Sequence, residues 1–103
     1  MRLGVSISFD SEAAASGASY INGLGLAERT GFDSLWFFDS LGRGSFRSDP
    51  LSAISAAAAV TQRIEIGTCI LQVPLRHPVE LAHRILSAHF LSEGRLRLGV
   101  GAG

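Results

Sequence analysis

Residues 3–9 set Leu3, Val5, Ile7 and Phe9 against Gly4, Ser6 and Ser8, a period of two that predicts a first strand. Residues 10–17 are small or polar and read as a loop. From about residue 18 to residue 30 the period lengthens. Ile21, Leu24 and Ala27 fall on one helical face, and Gly31 follows as a C′ residue. Gly23 and Gly25 weaken this helix by about 1 kcal/mol each relative to Ala, and they suit close approach to a sheet. Residues 32–38 form a continuous aromatic-rich run, which predicts a second strand covered on both faces. After a Gly/Ser/Arg loop over 39–48, Asp49 and Pro50 open a helix as an acidic N-cap followed by proline at the first helical position. Leu51, Ile54, Ala57, Ala58 and Thr61 keep the helical period.

Residues 64–71 predict a third strand, 74–77 a loop, and 78–91 a third helix with Leu81, Ala82, Ile85, Leu86 and Phe90 facing inward. Glu93 and Gly94 form a turn, and residues 95–100 a fourth strand. The order is βαβαβαβ in one unit, residues 1–103, without internal repeats or a linker. Alternation of this kind builds a parallel α/β sheet covered by helices. Such sheets place their ligands just past the carboxyl ends of the strands. Gly101-Ala102-Gly103 ends the chain where such a loop should begin, so the chain reads as a piece of a larger protein.

Composition narrows the class. Hydrophobic residues make up 47% and charged residues 17%, which suits buried strands and argues against disorder. No apolar run approaches the ~20 residues of a membrane span. The N-terminal apolar run is too short for a signal peptide, so a cytoplasmic location is the default expectation. The nine basic residues are all Arg, scattered from Arg2 to Arg97 against nine acids, and nothing points to nucleic acid. Cys69 is the one cysteine and excludes an internal disulfide.

The chemistry-bearing residues each carry a plain reading. Asp39 at the end of the second strand fits a loop-opening acid bonded to its own backbone. Cys69 fits a small buried hydrophobe, and Gln72 a loop amide. Gly99-Val100-Gly101-Ala102-Gly103 lacks the third glycine and the helix of a dinucleotide loop. It fits a turn, or a strand end whose bare backbone a ligand approaches. His77, His83 and His89 are six residues apart, so they share no helical face and no metal site is expected of them. His77 fits a cap before Pro78. Glu80, His83 and Arg84 fit a solvated helix face. No hydrolase triad or P-loop is present.

Three blocks, 31–40 (GFDSLWFFDS), 49–83 (DPLSAISAAAAVTQRIEIGTCILQVPLRHPVELAH) and 91–103 (LSEGRLRLGVGAG), resemble the bacterial luciferase-like flavin-dependent oxidoreductases in order and spacing. The resemblance covers nearly the whole chain. It implies a TIM (β/α)₈ barrel, normally ~250 residues, of which four strands and three helices would be the N-terminal half. It further implies FMN or a deazaflavin at the barrel mouth, and an oxidoreductase or monooxygenase acting on a small organic substrate. An acid followed by His is common at the end of the second strand. Asp39 matches and Ser40 does not, so no catalytic base is named. In deazaflavin-using relatives the third strand ends in a bulge with a non-proline cis peptide under the ring, and Cys69-Ile70 falls at that step. By this resemblance Asp39, Cys69, Ile70, Gln72, Gly101 and Ala102 lie nearest the cofactor.

A reading of another class stands beside this one. Four strands leave two edges unpaired, so the chain alone is expected to be inactive and to act only by association with a second copy or a missing C-terminal half. A free-standing doubly wound domain of the flavodoxin type is the other fold. Asp10-Ser11-Glu12 after the first strand, in place of a phosphate-cradling loop, argues against it.

Overall fold

A computed structural model describes residues 1–7, 16–44 and 46–103. The elements run β1 (Gly4–Ser6), α1 (Gly17–Arg29), β2 (Ser34–Phe37), α2 (Pro50–Val60), β3 (Glu65–Gln72), a 3₁₀ turn (Val73–Leu75), α3 (Pro78–Leu91) and β4 (Leu96–Gly101). All four strands pair in parallel in the order β1-β2-β3-β4, each next to its neighbour in sequence. Leu35 sits opposite Val5 on one side and Ile66 on the other, and Ile66 opposite Leu96. The expected βαβαβαβ order is therefore present. The end of the expected first strand at Phe9, and most of the loop after it, lie outside the described residues.

Local chemistry sets the helix ends. Ser16 caps α1 by accepting from Ser19 N at 3.1 Å. At the other end Gly31 adopts φ +96°, while Gly31 N and Phe32 N donate back to Glu28 O and Ala27 O. That is the left-handed C′ glycine the sequence calls for. Asp49 caps α2 through Ser52 N at 2.8 Å, and His77 caps α3 through Val79 N at 3.3 Å. Pro50 and Pro78 fill first-turn positions, where a missing N–H costs nothing.

The core lies between one face of the sheet and the helices. Leu35 and Phe37 of β2, Ile66 and Leu71 of β3, and Leu96 of β4 meet Leu24, Leu51, Ile54 and Leu81 in one cluster. Burial on β2 alternates, with Leu35 and Phe37 buried but Ser34 and Trp36 only partly so. The expectation of a strand covered on both faces thus fails, because the helices cover one face only.

Two helices also differ from expectation. In α1, Ile21 is exposed and Gly25 is buried instead, close to the Val60 carbonyl of α2. In α3, Leu81 and Ala88 are buried and Ile85 is partly so, whereas Ala82, Leu86 and Phe90 are exposed. This helix is apolar on more than one side, and α2 and the sheet cover one of them. Exposed Leu98 and Val100 of β4 add to the uncovered apolar surface.

The amino-terminal end of the sheet is tied by two side chains. The Glu28 carboxylate accepts from the backbone N–H groups of Gln62, Arg63 and Ile64 at 2.7–3.1 Å, which locks α1 to the turn before β3. Arg95 donates to the carbonyls of Ala58, Thr61, Ile64 and Ser92 and to Thr61 Oγ1, satisfying the end of α2. Burial pushes the Glu28 carboxyl up, but the three N–H donors and Arg63 outweigh it and hold the carboxyl below its ordinary value. A depressed folded-state value means this stabilisation is present above the ordinary carboxylate range and fades as pH falls through the folded value. Glu28→Gln should lower stability by about 1–2 kcal/mol near neutrality. It should also flatten the loss of the urea midpoint between about pH 5 and 3, followed by the fluorescence of Trp36.

At the other end, the β3–β4 register shifts between Thr68 and Leu71, so Cys69 and Ile70 form a bulge opposite Gly99. Thr68 Oγ1 donates to Gly99 O at 2.8 Å and accepts from Gly99 N at 3.1 Å, supplying the bonds the ladder loses there. A Cβ on Gly99 would lie 2.5 Å from the Thr68 carbonyl oxygen. Gly99→Ala must therefore move the backbone, and chemical denaturation should show a loss of about 2 kcal/mol.

Candidate functional site at the carboxyl ends of the strands

The carboxyl ends of β2 and β3 open onto a cavity of about 470 Å³. Its lining includes Phe38, Asp39 and Ser40 beyond β2, Arg43 and Arg47 from the following loop, Cys69, Ile70 and Gln72 of β3, and Gly103. A volume of this size falls within the range of small-molecule sites. Phe38, Cys69 and Ile70 are exposed. The site thus combines apolar walls with a few polar groups.

A charged network holds these strand ends. The Asp39 side chain is 1% exposed and that of Arg76 12%. Asp39 Oδ2 accepts from Arg76 Nη1 and, at 2.8 Å, from Gln72 N. Gln72 Nε2 donates to Asp39 O at 2.6 Å, and Arg76 Nη1 donates also to Gln72 O at 3.0 Å. The two strand ends are therefore laced by side chain and backbone together. Arg76 gets there because the 3₁₀ turn after β3 folds the chain back, with Arg76 N on Val73 O at 3.1 Å. Its Nη2 lies 3.5 Å from Oδ1 of Asp49, whose Oδ2 also receives Arg84 of α3. Arg84 is thus drawn to the α2 cap and departs from the expected solvated face.

Burial pushes the Asp39 carboxyl up. The Arg76 guanidinium, with the backbone N–H groups of Gln72 and Leu41, outweighs that and holds it below the usual carboxylate range. Asp39 stays ionised near neutrality, and its paired carboxylate is not placed to take a proton from a ligand. The Leu41 contact is the local turn bond expected of an acid at this position.

The structure brings four of the six expected cofactor-proximal residues, Asp39, Cys69, Ile70 and Gln72, into one lining. Asp39 turns its carboxylate to Arg76, and Gln72 commits its amide nitrogen to Asp39. The Cys69–Ile70 peptide is cis and lies in the bulge, at the step the resemblance implies. Gly101 and Ala102 are absent from the lining. The Ile70 side chain occupies the space over Gly101, and Ala102 lies past the strand and is exposed. Gly103 lines the cavity in their place. Phe38, Arg43, Arg47 and the role of Arg76 were missed. Two arginines four residues apart in a Gly/Ser loop were the available signal for Arg43 and Arg47.

The luciferase-like monooxygenase family matches residues 1–103, the whole chain. The chain belongs to that family. It is 39% identical over 92 residues to 4-hydroxyprotoasukamycin monooxygenase of Streptomyces nodosus subsp. asukaensis, covering 84% of this chain and 24% of that protein. It is 40% identical over 83 residues to the F420-dependent glucose-6-phosphate dehydrogenase of Beutenbergia cavernae, covering 76% and 25% respectively. Among solved structures, the oxygenating constituent of 3,6-diketocamphane monooxygenase from Pseudomonas putida, in complex with FMN, matches with a TM-score of 0.82 and 26% identity. That match covers all of this chain and 30% of the other. The F420-dependent tetrahydromethanopterin reductase of Methanopyrus kandleri matches at 0.74 and 25%, covering 99% and 27%. The luciferase-like chain thus spans about a quarter of the length of these curated relatives, and its four-stranded arc is part of a TIM barrel. No helix among the described residues is long and apolar enough to cross a membrane.

The Asp39–Arg76 pair gives a direct test. Asp39→Ala leaves a nearly buried guanidinium without its main partner and should cost about 3 kcal/mol or more in urea denaturation. The loss should be largest near neutrality. It should shrink as acid protonates Asp39 in the parent chain, because the depressed carboxyl stabilises only while ionised.

Proposed function

We propose that residues 1–103 form one unit of a flavin- or deazaflavin-dependent oxidoreductase that acts on a small organic substrate, with the cofactor ring at the cavity beyond β2 and β3. The observation that carries this reading is the bulged end of β3. It leaves Cys69 and Ile70 exposed in the cavity wall, with Phe38 across from them on the β2 side. A planar, largely apolar ring would cover these groups, so the residues fit such a cofactor. When bound, a flavin supplies the electron transfer that no side chain here can perform.

The chain's own groups have narrower tasks. Cys69 and Ile70 give the ring a wall on one side. Gln72 has its amide nitrogen held by Asp39, so only its side-chain carbonyl oxygen, beside Gly103, is left to meet a polar edge of the ring. Asp39 and Arg76 are positioning residues that fix both strand ends without taking part in proton transfer. Gly101 and Ala102 sit further from the ring, beneath and beyond Ile70. Ser40 stands where relatives commonly carry His, and a serine hydroxyl without a basic partner is a poor base near neutral pH. The substrate's proton would therefore pass to another group or to water.

Flavin fluorescence tests this reading. Riboflavin titrated onto the chain should be quenched saturably, and Ile70→Glu, which sets a charge against the ring, should weaken that binding about tenfold. Equal behaviour of the parent and Ile70→Glu chains, or no binding at all, would overturn the placement.

The second reading, association, is favoured by the uncovered apolar surface of α3 and β4, where Leu86, Phe90 and Val100 are more than half exposed. In a closed barrel the neighbouring segment covers such a surface. Size-exclusion chromatography with light scattering, run with and without FMN, should show a dimer or larger species that carries flavin if two copies rebuild the mouth. A monomer with and without FMN would overturn association.

A further inference from the structure

The loop between β2 and α2 sends two arginines, Arg43 and Arg47, into the lining of the cavity. A second cavity of about 310 Å³ shares Asp39, Ser40 and Arg47 with the first, so Arg47 stands where the two meet. The carboxylates in both linings are engaged, and none of them by Arg43. Among the described residues their linings contain two carboxylates, Asp39 and Asp49. Asp39 is taken by Arg76. Asp49 is taken by Arg84, Arg76 and the first turn of α2. Arg43 has no carboxylate partner among the described residues, and it lines the cavity together with Ser40, Gln72 and the apolar Phe38 and Ile70. A guanidinium beside a concave, partly apolar space is suited to an oxyanion, which its fork of N–H groups can hold through two parallel hydrogen bonds.

We propose that Arg43, assisted by Arg47, forms an oxyanion-holding wall of this cavity and selects ligands that carry a carboxylate or phosphate group. The inference rests on the reading of the cavity as the cofactor and substrate site, and it names the class of ligand that site takes. The oxyanion can belong to an acidic substrate or to the phosphate of the cofactor, and the two sources are separable.

The test uses the intact 103-residue chain, isotope-labelled and followed by NMR, with inorganic phosphate, riboflavin and FMN as probes. Phosphate should shift the side-chain signals of Arg43 and Arg47 and the backbone of Ser40 to Gly42 saturably, and more weakly as salt rises. Arg43→Gln should weaken phosphate binding about tenfold, while Arg97→Gln, at the β4 residue that pairs with Glu65 of β3, should leave it unchanged. Arg43 is exposed, and the Arg43→Gln chain should keep the parent's spectrum elsewhere. If Arg43→Gln weakens phosphate but treats FMN and riboflavin as the parent does, the oxyanion is a substrate group. If it weakens FMN and spares riboflavin, the oxyanion is the cofactor phosphate, and the wall stands. Phosphate that leaves the arginine signals unmoved, or binds parent and Arg43→Gln chains alike, would overturn the inference. Phosphate binding without riboflavin binding would sink the flavin reading and leave the oxyanion wall in place.

Discussion

A nearly buried carboxylate and a nearly buried guanidinium hold the working end of this sheet. Asp39 closes β2 and Arg76 follows β3, so their contact ties two strand ends that the backbone ladder alone would leave to diverge. Each ion gives up hydration to be there, and the arrangement is stable because further hydrogen bonds complete both groups. Gln72 supplies two of them, through its backbone N–H and its side-chain amide. Asp49 then links Arg76 to the cap of α2 and, through Arg84, to α3. The walls of the cavity are therefore positioned by one network that joins two successive βα units, β2–α2 and β3–α3.

The two ends of the sheet divide stability from chemistry. At the amino end, Glu28 and Arg95 satisfy backbone groups that strand and helix geometry leave open, and neither borders the candidate site. At the carboxyl end, the bulge at Cys69 and Ile70 breaks the ladder, Thr68 repairs it, and side chains come to line a cavity instead of a core. A barrel accommodates this separation because its strands all point one way, so irregularity at one end need not disturb packing at the other.

Charge around the cavity follows from the same network. Because Asp39 and Asp49 are engaged by Arg76 and Arg84, neither pairs with Arg43 of the β2–α2 loop. One set of contacts thus fixes the wall and shapes the electrostatic character of the space it encloses.

The sequence by itself determined the local facts: element order and the caps at Asp49-Pro50, His77-Pro78 and Gly31. These depend on a few adjacent residues whose backbone preferences are intrinsic. The bulge position was legible through family resemblance, since periodicity shows an unbroken strand there. Packing was only partly legible. Ile21, Ala82, Leu86 and Phe90 satisfy a helical period, yet which side of a helix is buried depends on which neighbours meet it, and only the tertiary structure shows that. The destination of Arg76 is of the same kind. Nothing near it in sequence points to Asp39, 37 residues away, and their meeting needs the sheet register and the 3₁₀ turn together. Hydrogen bonds and ion pairs between distant segments are set by three-dimensional placement, and the candidate site is made largely of these.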